Sequence, residues 1–446
     1  MHPQIKNNYL YTLILGIIFQ FCSTTLSRAE TKSTQILNSF LNETQKNLKT
    51  NNNIKTAVDQ NGFRVKSTDG NFTLNLGGQI QADFVSTHIN NINGLLNHIN
   101  DLRLDLRRAR INITGSLYKD WHYRFENDFG GNGFDDNLGI KNPVLTNGFF
   151  KFTGFKSVNF VLGYQKVPFS LESIVGNNWT TFQERSLTNS FINNSVIGRR
   201  RLGVVIETFG DRWIHWAAQT GFYGAGFSNI GQSTDNWGAS GRITFAPIAK
   251  PNQVIHIGGS IYYRDFEHSP NLSFIVSPES HLTDQLIGTN IAETKNTLIL
   301  NGEISTVLGV FHAQSEYTDT QIERKNNSQV NFDGWYTQAG YFLTGESRNY
   351  IPRKGVYGQT NPNHPINQGG WGAWEIAVRY STIDLNNKGI YGGEEHNLTL
   401  GMNWWITHNA LLRANYIYAI ADNNDQILSS VQDHVDIFMM RAQLNF

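Results

Sequence analysis

Cysteine is almost absent from this sequence of 446 residues, and the one present, Cys22, lies near the N-terminus. Proline is scarce, at 10 residues, and hydrophobic residues make up only 39%. Beyond the N-terminus no stretch reaches the ~20 apolar residues that a membrane-spanning helix requires. A helical membrane protein is therefore excluded, and a chain that has lost residue 22 can form neither disulfides nor thiolate metal sites.

The N-terminus has the pattern of a secretory signal. Lys6 precedes an apolar run from Tyr9 to Cys22, and Ser27-Arg28-Ala29 is a cleavage site of the small-x-small type. We therefore expect a signal peptide at 1–29 and an exported chain. The alternative is an N-terminal anchor helix, for which the run is short.

Bulk charge favours neither anions nor cations. Loss of residues 1–29 would remove Lys6 and Arg28 from the 36 basic residues and nothing from the 36 acidic ones, which leaves 34 against 36, a net charge of −2. Any anion preference must therefore come from where arginines lie rather than from their number. A nucleic-acid partner is not expected.

What the sequence does have is alternation. From Phe72 to Phe84, apolar or small residues hold every even position and mostly polar residues hold the odd ones, a period of two that predicts a strand with one apolar and one polar face. Similar segments recur to the end of the chain. We predict strands near 72–85, 102–118, 121–130, 147–155, 158–165, 200–209, 212–222, 235–247, 253–265, 296–306, 309–319, 332–344, 372–385, 394–407, 409–421 and 433–446.

The connections between these strands are alternately short and long, which a membrane barrel shows because periplasmic turns are short and outer loops are long. The predicted tight turns are Lys119-Asp120, Lys156-Ser157, Gly210-Asp211, Val307-Leu308 and Thr407-His408-Asn409. One connection that the count puts on the short side, 345–371, is long. Either it folds into the pore, which we favour, or a pair of strands has been missed.

The fold class predicted is all-β: a sixteen-stranded antiparallel transmembrane β-barrel at 62–446, with short periplasmic turns and an inward-folded third loop. Residues 30–61 would be a periplasmic arm, either mobile or a short coiled-coil helix. The alternating C-terminal strand ends at Phe446, as in the sorting signal that the outer-membrane assembly machinery reads. We expect a Gram-negative outer-membrane location, in contact with membrane lipid.

Arginines on the second strand are the first candidate site. Leucines hold even positions up to Leu106, whereas apolar residues hold odd positions from Ala109, so a β-bulge must lie between them. A lipid-facing arginine would cost ~2–4 kcal/mol, so Arg107, Arg108 and Arg110 should all point into the lumen. They would either contact anions there or pair with acids such as Asp105 and Asp128.

The loop at 166–199, with 34 residues, is the second candidate, since long barrel loops can bend inward and narrow the channel. We predict that Lys166 and Arg185 face the narrowest point. Arg199 to Arg201 would gather anions, or contact lipid headgroups at the rim. Arg353 and Lys354 add charge in the 345–371 connection.

Several blocks resemble the phosphate-selective porin O and P family of bacterial outer-membrane porins, from about residue 62 to the end of the chain. The blocks are Leu106–Arg110, Lys119–Tyr123, Tyr164–Glu172, Phe182–Leu187, Tyr341–Glu346, Gly369–Glu375 and Arg441–Phe446. The resemblance implies a homotrimer of sixteen-stranded barrels. It also implies an arginine-lined path, a constriction formed by the third loop and an inward late turn, and anion contact by Arg107 and Arg108.

Two features depart from the family pattern. Arg110 stands where an aromatic residue is expected, and the late turn from Tyr357 to Pro365 is nearly uncharged where lysines are expected. The resemblance therefore supports a porin more strongly than it supports phosphate selectivity.

The prediction for function is a passive porin for small anions such as phosphate. The first alternative is a general or sugar-type diffusion porin, and the second is a barrel enzyme or assembly factor. The 13 histidines show no HExxH spacing, so no metal site, cofactor or enzymatic activity is expected.

Overall fold

The computed structural model describes residues 54–59, 62–90, 99–130, 134–135, 139–140, 143–192, 198, 200–224, 235–266, 270–422 and 432–446. The predicted signal peptide, most of the predicted arm and Arg199 lie outside these residues. Of the predicted arm, Ile54–Asp59 is described, as a strand. Residues 56–66 and 70–446 form one compact unit.

Sixteen antiparallel strands close into a barrel, each hydrogen-bonded to the next, and the last strand pairs with the first. Each predicted strand overlaps one of them, so the predicted fold class is confirmed. The strands are β1 (Phe72–Asn90), β2 (Ile99–Leu117), β3 (Trp121–Asp128), β4 (Val144–Phe152), β5 (Val158–Lys166), β6 (Arg200–Gly210), β7 (His215–Tyr223), β8 (Asp235–Lys250), β9 (Gln253–Phe266), β10 (Thr294–Leu308), β11 (Phe311–Arg324), β12 (Val330–Phe342), β13 (Ala373–Asn387), β14 (Ile390–Trp405), β15 (Ala410–Asp422) and β16 (Gln432–Asn445).

Shorter elements lie outside the ring. A strand at Gly62–Ser67 pairs with the start of β1. The others are strands at Phe134–Asp135, Gly139–Ile140, Leu272–Val276, Ile287–Ile291, Tyr350–Ile351 and Val356–Tyr357, helices α1 (Leu171–Ile174) and α2 (Leu187–Phe191), and 3₁₀ turns at Pro352–Lys354 and Ile366–Gln368. No described helix is long and apolar enough to cross a membrane.

The side chains are arranged inside-out relative to a water-soluble protein. Leu102 and Leu104 are 63% and 78% exposed, whereas Arg108, Arg379, Arg413 and Arg441 are among the largest fully buried side chains. Apolar residues thus face outward, and polar residues face the barrel interior, here called the lumen. This is the pattern that a lipid-facing barrel wall requires.

Exposed aromatic side chains surround the end of the barrel that carries the short turns. Tyr118, Trp121, Phe155, Trp213 and Trp371 all lie beside or within a turn at that end, and Trp213 and Trp371 are more than 80% exposed. Rings at such positions form the girdles that lie at membrane–water interfaces. The position of these rings is therefore typical of a girdle at one boundary of a membrane.

One predicted turn is wrong. Val307 and Leu308 belong to β10, where Leu308 pairs with Phe311, and the chain reverses at Gly309 and Val310 instead. Gly309 adopts a φ of +62°, a left-handed conformation that glycine reaches without a Cβ penalty. Leu308, 57% exposed, remains on the lipid-facing side.

Candidate functional site

The connection after β5 folds into the lumen, as predicted, and its residues 167–192 are called the inserted segment below. Its two short helices begin with serine caps, since Ser170 Oγ accepts from the Ser173 backbone N–H and Ser186 Oγ from that of Asn189. Glu316, on the inner face of β11, accepts from the backbone N–H groups of Leu171 and Glu172, at 3.0 and 2.8 Å. The wall of the barrel thus binds the start of α1.

Three wall arginines, none of them singled out from the sequence, hold the rest of the inserted segment. Arg379 donates to the Glu184 carbonyl at 3.2 Å, and Arg413 to the Asn178 carbonyl at 3.2 Å. Arg441 donates to the Gln183 carbonyl at 2.7 Å. The alternation that predicted lumen arginines on β2 would have placed these three inward as well.

The predicted bulge on β2 is confirmed. Its register with β1 shifts between Gln81 and Asp83, which pair with Arg108 and Asp105 respectively. One residue of β1 therefore faces Leu106 and Arg107 together. The inward placement predicted for the arginines follows from this shift, and Arg108 and Arg110 are 2% and 8% exposed.

The three predicted arginines contact side chains inside the lumen. Arg107 Nε lies 3.0 Å from Glu184 Oε1, and Arg108 Nη1 lies 2.7 Å from Gln81 Oε1. Arg110 Nε lies 2.6 Å from Asp128 Oδ2. The acid partner of Arg107 is thus Glu184 of the inserted segment, whereas Asp105 binds His281.

Lys166 and Arg185 lie together at the end of α1, where they bind backbone carbonyls. Lys166 Nζ lies 3.0 to 3.3 Å from the oxygens of Ser173, Ile174 and Val175. Arg185 Nε donates to the Glu172 carbonyl at 3.0 Å and Nη2 to that of Val175 at 3.0 Å. Both cations thus satisfy carbonyls that the short helix leaves unpaired.

The late connection, residues 343–372, also folds inward, as favoured from its length. Tyr350 Oη lies 2.7 Å from His256 Nδ1, and Tyr357 Oη donates to Ser305 Oγ at 2.8 Å. The guanidinium of Arg353 lies over the ring of Phe209, 5.1 Å from its centroid. The pair of two-residue strands within it, Tyr350–Ile351 and Val356–Tyr357, is separate from the ring.

A cavity of about 500 Å³ lies between the inserted segment and the late connection. Its charged lining residues are five basic and two acidic ones: Arg110, Arg124, Lys166, Arg200, Lys354, Glu126 and Glu207. Lys151, beside the cavity, pairs with Glu207. Arg124 and Arg200 were not predicted as lining residues of a pore, although Arg200 belongs to the cluster proposed to gather anions.

A third inward element was not predicted. The outer hairpin, residues 270–293, reaches into the lumen, where Glu279 accepts from Arg379 and Thr399, and His281 Nε2 lies 2.9 Å from Asp105. Its Phe274 ring stacks on Phe191 of the inserted segment, with centroids 5.5 Å apart. The outer hairpin therefore contacts both the barrel wall and the inserted segment.

Asp83, Glu184 and His281 offer ligand atoms within 4.8 Å of one another, a spacing that could hold a metal ion. However, Arg441 Nη2 lies 2.6 Å from Asp83 Oδ2 and 2.7 Å from Glu184 Oε1. The guanidinium supplies the positive charge between the two carboxylates, so the residues do not fit a metal.

Comparison with known proteins agrees with this architecture. The sequence profile of the family described as "Phosphate-selective porin O and P" matches residues 72–446. Porin O of Pseudomonas aeruginosa is 26% identical over 427 residues, which cover 86% of this chain and 91% of that protein. An uncharacterized protein of Caulobacter vibrioides is 28% identical over 262 residues, which cover 56% of this chain and 51% of that protein.

Solved structures share the fold at low sequence identity. An anion-selective porin from Comamonas acidovorans has a TM-score of 0.53 and 13% identity, with 84% of this chain and all of that chain covered. The outer-membrane protein OmpT of Vibrio cholerae has a TM-score of 0.51 and 11% identity, with 84% and 98% covered. At such identities the likeness concerns the barrel alone.

Proposed function

Because the chain belongs to the phosphate-selective porin O and P family, we propose that it forms a water-filled outer-membrane channel for passive diffusion of small anions. The observation that carries this proposal is the cavity between the inserted segment and the late connection, where five basic side chains face two acidic ones. Conduction needs binding strong enough to admit an ion and weak enough to release it. Several separate cations meet that need better than one closed site.

Position, rather than total charge, would produce the preference. The whole chain has as many basic as acidic residues. Of the lining cations, Arg124 pairs with Glu126 but its side chain is 39% exposed, and Lys354 is exposed, so both are accessible to a passing anion. Low-dielectric walls strengthen the field of such charges along the passage.

A general or sugar-type diffusion porin is the second candidate. Acids already pair with Arg107, which the family resemblance assigns to anion contact, and with Arg110. Such pairing would weaken the recognition of phosphate without closing the channel.

Reversal potentials across planar bilayers, measured in a chloride gradient, test the proposal. We expect the purified protein to prefer anions, and Arg124→Gln/Lys354→Gln to lose most of that preference. Thr318→Ala, which faces the lumen but contacts Asn301, is the control. A cation-preferring parent would overturn the proposal, and an unselective parent that passes sugars freely would favour the second candidate.

The remaining expectations from the sequence are part of this proposal. Export by a signal peptide at 1–29, contact with membrane lipid, recognition of Phe446 by the assembly machinery and assembly into homotrimers are supported by the family and the barrel fold. Light scattering of the detergent-solubilised protein would measure the oligomeric state. A monomeric protein that still conducts would contradict the trimer alone.

A further inference from the structure

Glu184 brings a carboxylate to the arginines that the family resemblance assigns to the passing anion. Its Oε1 lies 3.0 Å from Arg107 Nε and 2.7 Å from Arg441 Nη2. Arg108 Nη1 lies 3.8 Å away from the same oxygen. Three guanidinium groups on β2 and β16, the two wall strands that flank β1, therefore converge on one carboxylate oxygen.

This carboxylate comes from the inserted segment rather than from the wall. The Glu184 backbone carbonyl accepts from Arg379, which fixes the residue in place. By contrast, the other acid of the cluster, Asp83, lies on β1 and pairs with Arg441 from the adjacent strand. The wall thus neutralises Arg441 by itself, whereas the acid that pairs with Arg107, Glu184, comes from the inserted segment.

The geometry resembles a bound anion. Arginine forks bind carboxylate and phosphate oxygens with similar distances, because both offer short, charge-assisted hydrogen bonds. Arg107 and Glu184 side chains are 21% and 14% exposed, so this pair stays open to the lumen. Despite burial, the cluster of arginines holds the pKa of Glu184 well below its usual range, and the carboxylate stays charged.

We infer that Glu184 is an internal competitor for the passing anion, occupying the Arg107, Arg108 and Arg441 site and setting how tightly oxyanions bind there. An anion that reaches these arginines must displace the carboxylate, so it binds weakly and leaves quickly. This inference rests on the proposed function and names the residue that determines its oxyanion selectivity.

The test is the block of chloride current by added phosphate in planar bilayers. Glu184→Gln removes the competing charge and keeps the side-chain shape, so the phosphate concentration that halves the current should fall about tenfold. Arg107→Ala in the Glu184→Gln background should remove this gain. A gain that survives the loss of Arg107 would overturn the inference.

Glu303→Gln is the matched control. Glu303 is also a buried lumen carboxylate bonded to an arginine, Arg242, but it lies on β10, away from the cluster. An equal gain in phosphate block for Glu303→Gln would mean a general charge effect and would overturn the inference. Glu184→Asp, which keeps the charge on a shorter side chain, should give an intermediate block and serves if Glu184→Gln fails to insert.

A purely structural role for Glu184 predicts a different result. Fewer channels would insert, while each inserted channel would show the parental phosphate block, and this outcome would also overturn the inference. The proposed function fails separately, because it depends on the reversal potential of the parent. If the parent prefers anions but the phosphate block of Glu184→Gln equals that of the parent, the competitor role is wrong and the proposed channel function stands.

Discussion

Arginine side chains inside the barrel differ by what their guanidinium groups contact. Arg379, Arg413 and Arg441 bind backbone carbonyls of the inserted segment, and Arg124 remains partly exposed to the cavity. Removal of an arginine of the first kind would leave buried carbonyls unpaired. Arg124, which pairs with the Glu126 carboxylate, can contact a solute without leaving a carbonyl of the inserted segment unpaired.

For single residues, the sequence predicts which face of the barrel wall a side chain lies on, but not which groups it contacts. Alternation along β2, with one bulge, was enough to turn Arg107, Arg108 and Arg110 inward. It could not identify Glu184 as the partner of Arg107, because that residue is 77 positions away and arrives on a folded loop. The same limit applies to Lys166, whose carbonyl partners exist only once α1 forms.

Lys354 should make the anion preference depend on pH. Partial loss of hydration inside the lumen and the neighbouring Lys151 ammonium lower the pKa of Lys354, against the opposing effect of Glu207. A lysine with a lowered pKa is charged below that pKa and loses its charge at a less alkaline pH than usual. The anion preference should therefore fall as the pH rises, at a less alkaline pH than a lysine of ordinary pKa would give.

Reversal potentials along a pH series check this, with Lys354→Gln expected to be nearly independent of pH. Arg124→Gln is the control, because arginine keeps its charge throughout and its loss should leave the slope in place. The same pH slope in Lys354→Gln as in the parent would contradict the assignment.

Strands and loops differ in how far the sequence determines them. The strands were predicted because alternation with period two is a local property, visible in ten residues. Inward folding of the outer hairpin was missed because it depends on contacts with distant strands, such as that of Glu279 with Arg379. Inward folding of the late connection was predicted, because its length alone is unusual for a periplasmic turn.

The inserted segment should loosen when its first anchor is lost. In Glu316→Ala the backbone N–H groups of Leu171 and Glu172 would lose their acceptor, at about 1–3 kcal/mol for each unpaired donor. We expect single-channel conductance to rise and to fluctuate more, because the segment then leaves the narrow part of the lumen. Single-channel recordings measure both effects, with Thr318→Ala, on the same face of β11, as the control. Unchanged conductance in Glu316→Ala would show that the other contacts are sufficient.

Closure of the whole barrel depends on close packing between the first strand and the C-terminal residue. Phe446 exchanges two backbone hydrogen bonds with Gly78, at 2.7 and 3.0 Å. A Cβ at Gly78 would lie 2.2 Å from the Phe446 ring and 2.8 Å from the Arg110 carbonyl oxygen. No side chain larger than hydrogen fits there without movement of the backbone.

Gly78→Ala should therefore impair closure of the barrel, at about 1–3 kcal/mol for overpacking. The fraction that refolds in detergent, read from the faster gel migration of unheated barrels, measures this. Gly302→Ala is the matched control, because a Cβ there would meet nothing within 4 Å. Equal refolding of the two variants would contradict the packing argument.

Pairing of β1 with β16 also has a consequence for biogenesis. Gln81 Nε2 donates to Gln443 Oε1 across this seam, although 362 positions separate the two residues. Such long-range pairing forms late. Until it forms, the exported polypeptide has two edge strands whose backbone groups are unpaired. During that interval its apolar outer face is exposed to water and prone to aggregation. This architecture therefore requires a chaperone that accompanies the polypeptide to the membrane.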